Sequence, residues 1–276
     1  MNETILGKNT VYSFQYNNDL LFPIARKIGR DAIKSSSNLD IVFQGVDIWN
    51  CYEMSWLTQN GLPEVRMLKL YIDANSPNIV ESKSLKLYLM SFSNHRFKSD
   101  KEVANLIQND LSNIVDFPVQ LKMMKLSEVY GQKIACFQGE NIDNAVDINI
   151  EHYNINKELL SVKSENIVKE ELYSNLLKSN CLVTNQPDWA SIYIKYKGQQ
   201  IDRRGLLKYI ISFRDHNEFH EQCVEHVFTD IMTQCKPEEL TVYAKYTRRG
   251  GIDINPYRSN MPYNLEDIDQ VRDARQ

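Results

Sequence analysis

The chain has 276 residues, with 32 Lys and Arg against 36 Asp and Glu, a formal net charge of -4. That balance supplies no global basic field, so direct binding to nucleic acid or to an anionic membrane is not expected. A hydrophobic fraction of 42% beside 25% charged residues, with 15 Tyr and 10 Phe, excludes a disordered chain and suffices for the core of one large domain or two modest ones.

The opening Met1-Asn2-Glu3-Thr4-Ile5-Leu6-Gly7 lacks the basic and apolar runs of a signal peptide. No later run approaches the ~18 apolar residues of a membrane span, so a cytoplasmic protein is expected. The five cysteines (Cys51, Cys136, Cys181, Cys223, Cys235) include no Cys-x-x-Cys pair. Free thiols are therefore the expectation, and one is available as a nucleophile.

In chain order, a short helix is predicted over residues 20–33, ended by a break at Ser35-Ser36-Ser37. Residues 46–57 and 66–72 read as two strands of a hairpin, with Asn60-Gly61 as the turn. Leu85, Tyr88, Leu89 and Phe92 then fall on one helical face, and Ser99-Asp100-Lys101-Glu102 is a capping box opening a second helix to about Asn113. Strands near residues 119–124 and 133–139 close a β-β-α-α-β-β unit, and the polar residues 140–165 read as a connection.

The second half repeats the plan. Ile192, Ile194 and Tyr196 alternate as a strand, while Leu206, Leu207, Ile210, Ile211 and Phe213 make a helical stripe. Asn217 is a plausible cap for a helix turning Cys223, Val224, Val227, Phe228 and Ile231 inward, and Leu240, Val242, Ala244 and Tyr246 alternate in a closing strand. Asn50-Cys51 is echoed by Asn180-Cys181, and Tyr88-Leu89-Met90-Ser91-Phe92 by Tyr209-Ile210-Ile211-Ser212-Phe213. The expected architecture is α+β, two tandem modules over residues 1–145 and 146–276.

If the halves are copies, their differences locate function. Glu81-Ser82-Lys83-Ser84 stands where the second half has Asp202-Arg203-Arg204-Gly205, whereas Pro187-Asp188 and Phe219-His220-Glu221 have no counterpart in the first. Cys181 and Asp188 pair a nucleophile with a proton donor; the bland alternative is a buried Cys beside a turn that Asp188 bonds. Glu221, in the first turn of a helix, has two oxygens for the paired N–H donors of a guanine-like edge, or it merely complements the helix dipole. Lys83 at a helix start, and Arg248-Arg249-Gly250-Gly251, are candidates for phosphate, or a helix cap and a solvated basic turn. Zinc through His216, His220, Cys223 and His226 is disfavoured, because Val224 breaks His-Glu-x-x-His and Thr184 breaks a Cys-x-x-His pair from Cys181. No Gly-x-Gly-x-x-Gly or Walker lysine motif is present, so a nucleotide would bind outside those frames.

Four blocks carry a family resemblance: Glu81-Ser82-Lys83-Ser84-Leu85-Lys86-Leu87-Tyr88; Asn180-Cys181 through Asp188-Trp189; Phe219-His220-Glu221-Gln222-Cys223; and Arg248-Arg249-Gly250-Gly251-Ile252-Asp253-Ile254-Asn255-Pro256. Together they resemble the NADPH-dependent 7-cyano-7-deazaguanine reductases, the nitrile reductases of queuosine biosynthesis, in their longer two-module form, over nearly the whole chain. The resemblance implies two tandem tunnelling-fold (T-fold) modules, the first bearing the Glu-Ser-Lys-Ser signature and the second the nucleophile, in a homodimer. It implies that Cys181 adds to the nitrile carbon as a covalent thioimide with Asp188 as proton donor, and that two NADPH reduce it to the aminomethyl product. Val80, Glu81, Ser82, Phe219, His220 and Glu221 would bind the deazapurine, with His220 also assisting proton handling. Ser82, Lys83, Arg249 and Gly250 would contact NADPH, and no metal is implied. Three rivals remain: a cysteine hydrolase of nitriles, separated by NADPH dependence; a zinc cyclohydrolase, separated by metal content; and a non-catalytic purine-binding module, in which Cys181→Ala leaves affinity intact.

Overall fold

A computed structural model describes residues 13–37, 42–144, 148–268 and 272–276. In chain order its elements are β1 (Pro23–Ala25), α1 (Arg26–Ser37), β2 (Gln44–Leu57), β3 (Pro63–Asp73), β4 (Asn78–Val80), α2 (Ser82–Ser91), α3 (Asp100–Val115), β5 (Val119–Met124), β6 (Glu140–Asn141), β7 (Val162–Asn180), β8 (Pro187–Ile201), α4 (Arg203–Ser212), α5 (His220–Gln234), β9 (Glu239–Tyr246), β10 (Ile252–Ser259) and α6 (Leu265–Ile268). The fold is mixed α+β. By contacts it forms two compact units, one of Met1–Ile28, Val46–Gln132 and Arg248–Ile254, the other of Gly29–Gly45, Lys133–Thr247 and Asn255–Gln276.

In the first unit β3 lies between β2 and β5, antiparallel to both, and Leu57↔Pro63 closes the hairpin predicted around Asn60-Gly61. Gly61 takes φ 83°, the left-handed value that a glycine tolerates without a Cβ penalty. Trp49, Met54, Leu68, Leu70 and Ile72 from the sheet pack with Leu85, Tyr88 and Leu89 of α2, with Phe92 just past its end, and with Val103, Ile107, Leu111 and Val115 of α3. The expected apolar stripes are thus the faces buried. The Ser99 hydroxyl accepts from the Glu102 N–H at 3.2 Å, and the Glu102 carboxylate reaches back to the Lys98 N–H at 2.6 Å. That is one residue further than a standard capping box.

In the second unit β7 and β8 form a long antiparallel pair, β8 continues to β9, and β9 pairs with β10 through Tyr257↔Tyr243. Ile192, Ile194, Tyr196, Leu240, Val242, Ala244 and Tyr246 meet Leu206, Leu207 and Ile210 of α4, Phe213 just past its end, and Cys223, Val224, Val227, Phe228 and Ile231 of α5.

The two cores repeat a side-chain arrangement. The Tyr88 hydroxyl donates to Asp110 on α3 at 2.6 Å, and the Tyr209 hydroxyl donates to Asp230 on α5 at 2.7 Å. In both, a serine three residues on donates to the tyrosine's carbonyl at 2.6 Å, Ser91 in one case and Ser212 in the other.

Several expectations shift. The predicted break at Ser35-Ser36-Ser37 is the last turn of α1, where the Ser35 hydroxyl donates to the Asp31 carbonyl. Residues 133–139 make only an isolated bridge at Ile134, and pairing begins at β6, after Gly139 at φ 102°. The connection over residues 140–165 already holds β6 and the start of β7, whose exposed Lys- and Glu-rich first half hides its alternation. The residues read for a leader at the N-terminus lie outside those described.

Candidate active site

The thiol sits where β7 turns into β8. Asn180↔Pro187 is the last paired position, and between them the Cys181 N–H donates to the Gln186 carbonyl at 2.8 Å while the Asn185 N–H donates to the Cys181 carbonyl at 3.0 Å. Asn185 supplies the left-handed residue the turn needs, at φ 56°, a conformation Asn adopts more readily than most side chains. Pro187, lacking an N–H, fits the first position of β8. The turn leaves Cys181 half-buried, and the pleat turns Asp188 inward to 4% exposure while Pro187 and Trp189 face out.

The segment ahead of α5 is sewn to this turn. The Asn180 N–H donates to the His216 carbonyl at 2.8 Å, and the Glu218 N–H donates to the Asn180 carbonyl at 3.1 Å. Asn217, expected as the α5 cap, instead donates its amide to the Cys181 carbonyl at 3.3 Å and to the Asn185 side chain at 3.0 Å. The helix starts two residues later, with Phe219 as its N-cap and no side-chain cap bond. Here the Asn217 side chain ties the loop to the turn, adding a second donor to the Cys181 carbonyl, instead of capping the helix.

Starting α5 at His220 aims two predicted side chains. Nε2 of His220 lies 3.4 Å from Oδ2 of Asp188, an ion-pair contact when the imidazole is protonated, and both groups are mostly buried. The His220 ring is stacked on Tyr246 of β9, with centroids 3.8 Å apart and planes 11° from parallel. Glu221, 4% exposed, occupies the first turn, where the helix dipole favours its ionised form. Beneath them burial, followed by the Glu218 carboxylate, pushes the Cys223 thiol up, and burial does the same to the Tyr246 hydroxyl. Both stay protonated at neutral pH, so Cys223 is a core thiol, whereas Cys181 is half-buried in the turn. An imidazole against a buried carboxylate can hold a proton and pass it to a bound substrate.

The first unit carries the other predicted residues. Glu81 is the N-cap of α2, one carboxylate oxygen accepting the Lys83 N–H at 2.9 Å and the other the Ser84 N–H at 2.7 Å. At 2% exposure it keeps one lone pair per oxygen for any further donor. The Val80 side chain is in the core, so only its backbone is available to a ligand, whereas Ser82 and Lys83 are half-exposed at the helix start.

Arg249 and Gly250 lie in a tight turn closed by the Arg249 N–H and the Ile252 carbonyl at 2.9 Å. Gly250 and Gly251 have φ of 57° and 75°, and a Cβ at Gly250 would lie 3.3 Å from the Lys86 side chain. The Arg248 guanidinium covers the Tyr52 ring at 4.8 Å, and the Tyr52 hydroxyl donates to Asp253 at 2.6 Å.

Cys181, Asp188, Phe219, His220 and Glu221 thus gather in the second unit, and Val80, Glu81, Ser82, Lys83, Arg249 and Gly250 in the first. Sequence reasoning missed two residues. Tyr246 was read only as an apolar strand position, and no periodicity marks the tyrosine that meets a histidine. Asn217 was given the wrong partner because a cap and a loop tie share the same residue type.

Residues 12–123 match the family described as nitrile reductase, 7-cyano-7-deazaguanine-reductase N-term, and residues 187–263 match the family described as QueF-like protein. An NADPH-dependent 7-cyano-7-deazaguanine reductase of Cupriavidus necator is 48% identical over 272 residues, 98% of this chain and 97% of that protein. A protein of the same name from Buchnera aphidicola is 50% identical over 91% of this chain and 96% of its own length. The archaeosine synthase QueF-Like in the apo form, a solved structure, aligns over 37% of this chain and all of its own at 16% identity and a TM-score of 0.31, too distant to bear on the fold. With that identity sustained along almost its whole length, the chain belongs to the family of NADPH-dependent 7-cyano-7-deazaguanine reductases.

Proposed function

We propose that this chain reduces the nitrile of 7-cyano-7-deazaguanine to the aminomethyl group with two NADPH, as a step of queuosine biosynthesis. The reading rests above all on the Cys181 turn, which presents a half-buried thiol and leads into Asp188, itself 4% exposed and in contact with His220. The 48% identity to a reductase of that name supports the same substrate.

In this mechanism the Cys181 sulfur adds to the nitrile carbon and Asp188 delivers a proton to the nitrogen, giving a thioimide. A neutral nitrile accepts hydride poorly, whereas a protonated thioimide accepts it well. NADPH supplies the two hydrides. After the first, Cys181 leaves as thiolate with re-formation of the carbon–nitrogen double bond; after the second, the product is the amine. Two hydrides and two protons account for the four hydrogens gained, with His220 relaying protons through Asp188.

Glu81 and Glu221 are assigned to the deazaguanine edge, Phe219 to its ring, and Val80 and Ser82 to further substrate contacts. Ser82, Lys83, Arg249 and Gly250 are assigned to NADPH. The donor chemistry suits that cosubstrate, because a turn with two positive-φ glycines, paired arginines and nearby Lys86 is built for a close-lying polyanion.

We further assign residues 1–145 and 146–276 to two T-fold modules, a division supported by the matched Tyr88–Asp110 and Tyr209–Asp230 bonds. The working form is a cytoplasmic homodimer acting on the free deazapurine without touching nucleic acid; among the described residues no helix is long and apolar enough to cross a membrane.

The test is NADPH absorbance on adding 7-cyano-7-deazaguanine, with Cys181→Ala in parallel. About two NADPH oxidised per nitrile, and none in the variant, is the expected result. Ligand binding without oxidation by the native protein would overturn the reading.

A further inference from the structure

His216, Glu218 and His226 each bring a donor atom to within 4.8 Å of the others. His216 and Glu218 flank Asn217 ahead of α5, and His226 lies in the second turn of α5. Oε1 of Glu218 is 2.9 Å from Nε2 of His216 and 3.0 Å from Nδ1 of His226. The sequence offered these two histidines in another combination, with His220 and Cys223. The fold sends His220 to Asp188 and buries Cys223, and puts Glu218 between the remaining pair.

Two features set the cluster apart from an ordinary ion pair. Nε2 of His216 is buried and, despite its distance from the carboxylate, makes no hydrogen bond, so its ring direction does not point at that oxygen. Glu218 is buried at 4%, and its second oxygen, Oε2, has no hydrogen-bond partner. Buried polar atoms are rarely left without partners, because each then loses its hydration for nothing in return. Nδ1 of His226 is hydrogen-bonded to Oε1 of Glu218 at 3.0 Å, which leaves Nε2 of His216 and Oε2 of Glu218 as the buried atoms that a cation would satisfy.

We propose that His216, Glu218 and His226 form a site for a divalent transition-metal ion, with zinc the best match. Two imidazoles and a carboxylate are a borderline-soft donor set suited to zinc, with water in a fourth position. Bonds of about 2.0–2.2 Å put tetrahedral ligand atoms about 3.3 Å apart, so the two short edges open by a few tenths of an ångström and the two imidazole nitrogens, within 4.8 Å of each other, close toward the same separation. The His216 side chain, 35% exposed, provides the way in.

An outer shell is already built. Nε2 of His226 faces Oδ2 of Asp230 at 3.5 Å, and that oxygen accepts from the Tyr209 hydroxyl at 2.7 Å. A carboxylate there fixes the tautomer that leaves Nδ1 free to bind metal. The ion is a brace and not a participant in the reduction. His216 and Glu218 make the two backbone bonds to Asn180, next to Cys181, and a shared ion fastens that segment to α5.

The experiment titrates chelator-treated full-length protein with zinc chloride against a chromophoric chelator, and records zinc X-ray absorption at one equivalent. One equivalent per chain is expected, with a nitrogen and oxygen shell and no sulfur. Cys181→Ala retains it, Asp230→Asn weakens it about ten-fold, and His226→Gln weakens it by more than that. A sulfur shell, no zinc competed from the chelator, or unchanged affinity in a folded His226→Gln protein would each overturn the site. The absorption measurement uses the unsubstituted protein and decides the matter even if a variant fails to fold.

Discussion

The His220 ring lies flat on Tyr246, centroids 3.8 Å apart, while its Nε2 reaches Asp188 at 3.4 Å. The stack fixes the plane of the imidazole and the contact fixes its rotation, so the ring has one orientation toward the carboxylate. Tyr246 is fully buried, and its place on β9, paired with Ala190 of β8, ties it to the strand that carries Asp188.

Tyr246→Leu is therefore expected to lower kcat by one to two orders of magnitude, about what a misplaced catalytic group costs, with a smaller change in KM for the nitrile. Tyr246→Phe keeps the stack and is expected to stay within a few-fold of the parent. Steady-state NADPH oxidation over a range of pH distinguishes positioning from simple instability, because a loosened His220 moves the pH profile and a merely less stable fold does not.

Asp188→Asn preserves shape and removes the proton. General acid catalysis is worth about 10² to 10⁴ in rate, so kcat is expected to fall by about 10² or more while 7-cyano-7-deazaguanine still binds. Calorimetric titration of the variant checks retention of the ligand, and single-turnover kinetics checks the rate. Undiminished turnover would remove Asp188 from the proposed mechanism.

Elements whose apolar spacing is uninterrupted were legible in the sequence. The stripes of α2 and α4 and the alternation of β8 and β9 became the buried faces because burial is the signal periodicity carries. The outer half of β7 was not legible, since most of its residues are exposed and its Lys and Glu residues mask the few apolar positions. The turn that carries Cys181 was legible because Asn, Gln and Pro in residues 180–187 rule out continuous pairing. Tyr246 was not, because a stack between β9 and α5 is a long-range fact and a tyrosine at an inward strand position looks like core. Asn217 shows the limit of local rules: the residue that best caps a helix also best ties a loop, and only the position of Cys181 decides between them.

Gly251 tests the turn assigned to NADPH. Its φ of 75° is strained for any residue with a Cβ, and an added methyl would run into the carboxyl group of Glu53. Gly251→Ala is expected to cost about 1–2 kcal/mol of stability from backbone strain alone and to raise KM for NADPH more than KM for the nitrile. Denaturant unfolding reads the first and cosubstrate titration the second; an NADPH KM unchanged in the folded variant would detach this turn from cosubstrate binding.

Glu225 on α5 holds two arginines in the second unit. Its Oε1 accepts from Nε and Nη2 of Arg258 at 3.0 and 2.8 Å and from Nη2 of Arg30 at 2.8 Å, and its Oε2 accepts from Nε of Arg30 at 2.9 Å. Arg258 is fully buried and Glu225 nearly so, while Arg30 is about one-third exposed, so the two halves of the network are unequal. Removing the carboxylate takes the Glu225 contact away from a charge buried inside the protein, a loss of up to about 3–5 kcal/mol. Removing Arg30 costs far less, because the exposed member gives up an interaction already weakened by solvent. Glu225→Gln is accordingly expected to shift the denaturation midpoint much further than Arg30→Ala. Equal shifts in urea unfolding would mean that the buried pair is not what anchors this helix.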